Sequence, residues 1–288
     1  DVLFVDEAQD FNEMQRELIF RCAGNNRVVI VGDKNQAIYG FRGADSNSIS
    51  IFKQELLSRG RKVKEFPLSL TWRCPKSVVK EANRFVADFD CKEDADEGRV
   101  IVDSPFNPSE GDMVLCRYNA PLVSAFYELI MQGKSAYVLG RDMTKGLINA
   151  VNKITKNGNM GSEEFMQLLE QDFHYNYNRL LKLDKVNQAQ SLEDKYECIR
   201  IFATKATTVS GIIAEIKRVF DGNEKGEIML STVHKSKGLE ADNVYILATE
   251  RMPHPKASDM QEELNICYVA ITRAIKTLHY CGPKPNSR

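Results

Sequence analysis

The chain has 288 residues, 43% hydrophobic and 27% charged, the profile of a soluble globular protein long enough for one large or two ordinary cores. A net charge of −1 excludes a basic bulk as the source of nucleic-acid affinity, so any such binding has to come from a local surface. Seven cysteines without a Cys-x-x-Cys pair argue against a disulfide scaffold and a zinc site and fit a reducing, cytoplasmic setting, and no apolar run approaches the ~18 residues of a membrane span.

Leu3-Phe4-Val5 reads as a strand buried on both faces, and it runs into Asp6-Glu7-Ala8-Gln9-Asp10. Ligands of open parallel sheets sit outside the carboxyl ends of the strands. Asp6 and Glu7 would therefore face a bound phosphate, as a magnesium ligand beside a general base. The competing reading is that the pair caps the following helix. No Gly-x-x-x-x-Gly-Lys-Ser/Thr loop occurs and the first residue is Asp, so the natural protein is expected to extend upstream.

Apolar spacing predicts a helix from Met14 to Cys22, which Gly24-Asn25-Asn26 breaks. Val28 to Val31 is a second buried strand, ending at Gly32-Asp33 and completing a βαβ unit. Just past it, Gln36 is placed to hydrogen-bond an attacking water or a terminal phosphate. Tyr39, Phe41 and Arg42 offer two stacking faces and a phosphate or base contact, against the alternative that the aromatics tuck into the core.

A helix over Ile49 to Ser58, a basic turn at Arg59-Gly60-Arg61-Lys62 and an extended Phe66 to Leu70 lead to a domain boundary. Pro75 opens a helix predicted to reach Phe89. The acidic stretch from Cys91 to Gly111 reads as loop with a short strand at Val100 to Val102. Met113 to Cys116, Leu122 to Met131 and Ala136 to Leu139 form a strand-helix-strand unit. From Leu147 to Lys225 the pattern is helical and rich in Lys, Asn, Gln and Glu, as in an inserted subdomain. Ile228 to Ser231 and Val244 to Ala248 restore the sheet, Glu262 to Lys276 is a last amphipathic helix, and Thr277 to Cys281 a closing strand. Gly133-Lys134-Ser135 imitates the end of a phosphate loop. It joins a helix to a strand, however, and its first glycine would fall at Glu128, so it is rejected.

The segments Asp6 to Asp10 and Val31 to Asp45 closely resemble motifs II and III of the UvrD/Rep/PcrA group of superfamily-one DNA helicases. Leu70-Thr71-Trp72-Arg73-Cys74-Pro75 is similar to motif IV, Leu230 to Glu240 to motif V, and Tyr268 to Ala274 to motif VI. The resemblance is strong over Asp1 to about Gly140 and over Glu227 to Tyr280, and weak between them. It implies an α/β fold of RecA-like parallel sheets of the P-loop NTPase type. Residues 1–67 would be the C-terminal part of a first RecA-like domain, and 68–146 and 227–288 the two parts of a second. Residues 147–226 would be a helical insertion standing in place of the family's accessory domain and about half its usual size.

The implied activity is ATP-dependent translocation or unwinding, 3′ to 5′ along single-stranded DNA. ATP and Mg²⁺ would be the cofactors, and single-stranded DNA, duplex junctions and the missing N-terminal segment the partners, in a cytoplasmic or nucleoid-associated setting without a membrane. By the same resemblance Asp6 holds the metal, Glu7 is the base, Gln36 senses the γ-phosphate, and Arg73 and Arg273 form a clamp across the cleft. Trp72 stands where the family usually has a tyrosine that stacks on adenine; plain core is the alternative. Thr232, His234, Lys235 and Lys237 would grip the strand with Tyr39, Phe41 and Arg42, while Glu240 reaches the ribose or the metal shell. Two further readings stay open: the helicase part of a RecB/AddA-type helicase-nuclease, and a non-hydrolysing DNA-binding module.

Overall fold

A computed structural model describes residues 1–40, 43–45, 47–220, 227–255, 257 and 259–287, without the side chain of Arg141. Phe41 and Arg42 lie outside the described residues.

β1 (Val2–Val5) and β2 (Arg27–Ile30) pair in parallel, with α1 (Glu13–Ala23) crossing between them. Asn12 closes a capping box with Gln15 at the start of α1, and Gly24, at φ 51, turns the chain away at its end. Phe20 of α1 and Phe52 and Leu56 of α2 (Ser48–Ser58) pack on Val5. Both helices thus cover the face that carries Leu3 and Val5. Burial of β1 on both faces was the sequence expectation, but Phe4, on the other face, is 73% exposed.

β3 (Leu70–Thr71) and β4 (Asp90–Cys91) form a second, two-residue parallel pair. The helix expected from Pro75 to Phe89 is α3 (Lys76–Ala82) only. Asn83 ends it by donating its amide to the Phe89 carbonyl at 2.8 Å, and the chain must then extend to pair with β3.

β5 (Arg99–Ile101), β6 (Met113–Cys116) and β7 (Ala136–Leu139) lead to four helices, α5 (Arg141–Ile154), α6 (Ser162–Lys182), α7 (Val186–Thr204) and α8 (Val209–Phe220). α4 (Ala120–Met131) links β6 to β7. β8 (Ile228–Thr232), β9 (Ala241–Ile246), α9 (Met260–Ile271) and β10 (Ala274–Tyr280) follow. The strands make one six-stranded sheet in the order β5-β10-β9-β6-β8-β7, all parallel. The expected α/β class with parallel sheets is therefore what is observed. α9 stops at Ile271 and not at Lys276, because Ala274 onward is taken up by the ladder with β9. No helix among the described residues is long and apolar enough to cross a membrane.

Helices α5 to α8 share one core with the sheet: Leu147, Phe165, Phe202, Ile216 and Phe220 pack with Val138, Leu129 and Leu230. The joint is also polar. Asp194 of α7 accepts the backbone N–H groups of Asn119 (2.9 and 3.1 Å to its two oxygens) and Ala120 (3.0 Å) and the Asn119 amide (2.8 Å), capping α4. Asp194→Ala leaves these donors without an acceptor and is expected to cost about 2 kcal/mol, read as a lower midpoint of urea unfolding. An unchanged midpoint would show that α4 is held by packing alone.

Candidate active site

The carboxyl end of β1 gathers several of the predicted residues. The Asp6 carboxylate is exposed and accepts the Glu7 N–H at 2.8 Å. Glu7 has a left-handed backbone, φ 53, a conformation that residues other than glycine seldom adopt and that clusters at functional sites. Buried Gln9 donates its amide to the Glu7 carboxylate, and its oxygen accepts the Asp33 N–H at 3.0 Å, tying the ends of β1 and β2 together. Gly32 makes room for this link, since a Cβ there would lie 2.5 Å from Gln9 Oε1. Gln9 lies within the Asp6 to Asp10 motif but outside the residues to which the motif assigns a role; its sequence signal is a neutral amide in an otherwise acidic run.

Asp33 caps the short 3-10 turn Lys34–Gln36 and accepts the Gln36 side-chain amide at 3.0 Å and the Tyr268 hydroxyl at 3.3 Å. Gln36 is thereby fixed from both sheets. Burial pushes the Tyr268 phenol well above its ordinary pKa, so the hydroxyl remains a donor.

Lys237 departs from expectation. The family resemblance puts it among the residues gripping single-stranded DNA, yet its side chain is only 8% exposed. Its ammonium lies 2.8 Å from Glu7 Oε2, 2.5 Å from Asp10 Oδ2 and 3.3 Å from the Gln36 carbonyl. A buried ammonium has to be paired, and these carboxylates are its partners. Burial raises the Asp10 pKa, with Lys237 pulling the other way.

The arginines come from the other side: Arg273 precedes β10 of the six-stranded sheet, hereafter the second sheet, and Arg73 follows β3. Arg273 is 2% exposed and donates to the carbonyls of Val269 (3.0 Å) and Leu239 (3.2 Å) and to the Thr272 hydroxyl (3.2 Å). No carboxylate of the described residues pairs with it. Burial, and then the neighbouring Arg73 charge, hold its pKa down to about 10, which still leaves it charged at neutral pH. Arg73 pairs with Glu240, and its guanidinium is 3.5 Å from the Thr272 carbonyl. Arg73, Arg273 and Glu240 therefore meet around Thr272. Tyr268, one turn earlier on α9, joins this group to Asp33 and Gln36.

Trp72 is 78% exposed, which removes the core reading. Tyr39 is partly buried, donates its hydroxyl to the His234 carbonyl at 2.7 Å, and has its ring centroid 5.5 Å from the Lys237 ammonium and 6.4 Å from the His234 ring. Thr232 is buried, and its carbonyl accepts the N–H groups of Lys235 and Ser236, anchoring the turn that carries His234. Lys235 pairs with Asp142 of α5.

Among the described residues no group of three or more His, Cys, Asp or Glu side chains is arranged to hold a metal ion. Magnesium held chiefly by phosphates and water needs only one or two carboxylates, and the exposed Asp6 at a strand end fits that demand.

Comparisons with known proteins agree with this layout. Residues 1–56 match the UvrD/REP helicase N-terminal domain, and residues 61–281 match the UvrD-like helicase C-terminal domain. The F-box DNA helicase protein 1 of Schizosaccharomyces pombe is 27% identical over 96% of this chain and 33% of its own length. A probable DNA helicase II homolog of Mycoplasma pneumoniae is 26% identical over 95% of this chain and 53% of its own. The ATP-dependent DNA helicase PcrA of Staphylococcus aureus is 31% identical over 34% of this chain and 15% of its own. The chain thus spans a third to about half of the first two relatives.

A buried guanidinium without a counter-ion is suited to a polyanion. Tripolyphosphate is expected to raise the melting temperature, equivalent to about 2.7 kcal/mol at a hundredfold excess over its dissociation constant. Arg273→Met removes the buried charge but also the donor to the Val269 and Leu239 carbonyls, so its readout is the anion response: the anion-dependent rise is expected to be lost. A wild-type melting temperature indifferent to tripolyphosphate would remove the anion-site reading.

Proposed function

The chain belongs to the UvrD-like helicase family of superfamily-one DNA helicases, and we propose that it carries the hydrolytic and DNA-gripping half of an ATP-driven translocase moving 3′ to 5′ on single-stranded DNA. One observation carries the reading. Lys237, from the turn after β8, contacts both the Glu7 carboxylate and the Gln36 carbonyl, and Tyr268 of α9 reaches the Gln36 amide through Asp33, so hydrolysis at one sheet and movement of the other would share the same side chains.

In this reading Glu7 takes the proton of the attacking water as its oxygen bonds to the γ-phosphorus and the bridging oxygen leaves with ADP. Gln36 orients that water and contacts the γ-phosphate. Arg73 and Arg273 neutralise the charge spreading over the phosphoryl oxygens. Asp6 would hold Mg²⁺, which supplies Lewis-acid charge to the phosphates when bound. Trp72 offers its exposed ring to the base and Glu240 its carboxylate to the ribose.

DNA contact is assigned to the turn that Thr232 anchors, with Tyr39 and His234 presenting rings close to each other. Their neighbour Lys237 pairs directly with the Glu7 carboxylate. A strand seated on this turn would shift Lys237 and so alter the hold on Glu7, which is a physical route for DNA to govern hydrolysis. No Gly-x-x-x-x-Gly-Lys-Ser/Thr sequence occurs in these 288 residues, so the triphosphate needs further groups for tight binding. That favours, as the second reading, a module that binds DNA without turnover when the chain is alone.

The test supplies the chain in trans with the phosphate-loop half of a UvrD-type helicase. ATP hydrolysis stimulated by single-stranded DNA is expected, and Glu7→Gln should lower it by about 10²-fold or more. Turnover unchanged in that variant would sink the role of Glu7. DNA binding without hydrolysis in the complemented wild type would leave the binding module as the better account.

A further inference from the structure

Trp72 and Lys92 are neighbours because of a two-residue ladder. β3 and β4 run parallel with Leu70 opposite Asp90 and Thr71 opposite Cys91, so the next residue of each strand leaves the ladder side by side. The Lys92 ammonium lies 3.1 Å from the centroid of the Trp72 ring, a cation–π contact. No carboxylate of the described residues forms an ion pair with Lys92, and its ammonium rests on the indole instead. With one face covered, a ring that is still 78% exposed keeps its opposite face in solvent.

The turn that presents Lys92 is itself fixed. Asp90 N–H donates to the Ser69 carbonyl at 2.9 Å, and the Phe89 ring meets Tyr268 edge-on at 5.4 Å. Tyr268 is the residue that reaches Asp33 and, through it, Gln36. The platform at Trp72 is therefore tied to the proposed γ-phosphate contact. Arg73 follows Trp72 directly and turns toward Thr272, held by its N–H on Thr71 Oγ1 at 3.2 Å.

We infer that Lys92 is a positioning residue for a purine nucleotide: it backs one face of Trp72, so that the other is presented to the base at a set distance from the arginines. The inference rests on the reading of Trp72 as the nucleotide platform. An exposed indole without a backing group samples several rotamers, and a base that stacks on it must first restrict it. A cation on the far face removes that cost beforehand. It also draws ring electron density toward itself, which favours stacking of an electron-rich purine on the near face.

Trp72 is the sole tryptophan, so its emission reports this site alone. Lys92→Met keeps the apolar stem and removes the charge; Lys92→Gln is a second variant should methionine alter folding, and Lys92→Arg restores a cation. Without nucleotide, the uncharged variants are expected to change the emission and acrylamide quenching of Trp72, with Lys92→Arg resembling wild type. In Mg-ATP titrations excited at the red edge, the uncharged variants should require about two- to fivefold more nucleotide for half the change, and Lys92→Arg should recover the wild-type value. Equal titrations for wild type and both uncharged variants would overturn the inference while leaving Trp72 as the platform, and so would failure of Lys92→Arg to recover. An absence of any nucleotide-dependent change in wild type would overturn the platform reading, and the inference with it.

Discussion

The side-chain amide of Asn265, buried within α9, donates to the Ala37 carbonyl at 3.0 Å and lies 3.4 Å from that of Lys34, and the placement of the catalytic candidates depends on this contact. The Lys34 carbonyl already accepts the Ala37 N–H at 3.3 Å within the 3-10 turn, but the carbonyl of buried Ala37, which ends the turn, must find a donor elsewhere. Asn265 is that donor. Next to it Ile38 inserts into the core of the second sheet, Glu262 accepts the Gly40 N–H at 3.0 Å, and Tyr39 reaches the His234 carbonyl. Residues 34–40 thus start from the first sheet and are packed by the second. Gln36 cannot follow one sheet without straining its hold on the other.

The two sides of this seam treat charge in opposite ways. On the carboxylate side the chain neutralises itself, with Lys237 between Glu7 and Asp10. On the arginine side it does not: Arg273 has carbonyl and hydroxyl oxygens but no carboxylate among the described residues, and Arg73 has only the exposed Glu240. An exposed ion pair is worth about 0–1 kcal/mol, so a phosphate can take Arg73 from Glu240 with little loss. A buried guanidinium lacking a counter-ion is far less comfortable, and an arriving polyanion relieves it. Differential affinity of this kind is what lets a ligand shift a two-state arrangement of domains.

Much of this was legible in the sequence where the signal is local. Continuous apolar runs at Val28, Met113 and Ala136 mark strands, and the residues closing the runs at Leu3 and Val28 lead to the site. Misreadings came where a neighbour decides. Burial of β1 depends on which face α1 and α2 cover, and the ends of α3 and α9 on the ladders that claim the following residues. Lys237 reads as one more basic residue of a DNA-binding loop; its partner Asp10 is 227 residues away, and nothing in the local pattern of either residue encodes the pair. The bond between Tyr39 and His234, across 195 residues, is of the same kind. Motif order signalled that these segments meet, and the structure adds which atoms touch.

The helices between β7 and β8 bear on what can move. A displacement of α5 to α8 as a body would have to expose Phe202, Phe220 and Leu147, which share a core with Val138 and Leu230, at roughly 1.5–3 kcal/mol for each large side chain. It would also break the cap that Asp194 places on α4. The Lys235–Asp142 pair between α5 and the turn after β8 is different: Asp142 is largely exposed, and such a pair exchanges for solvent or phosphate at small cost. Separating residues 34–40 from α9 breaks hydrogen bonds from Asn265 and Glu262 and withdraws Ile38, the fully buried side chain among residues 34–40. Polar contacts can be traded for water or ligand, whereas a continuous apolar core cannot. The helices therefore act as a buttress on the β7–β8 edge, and the seam beside Gln36 is the joint at which the two sheets can change their relation.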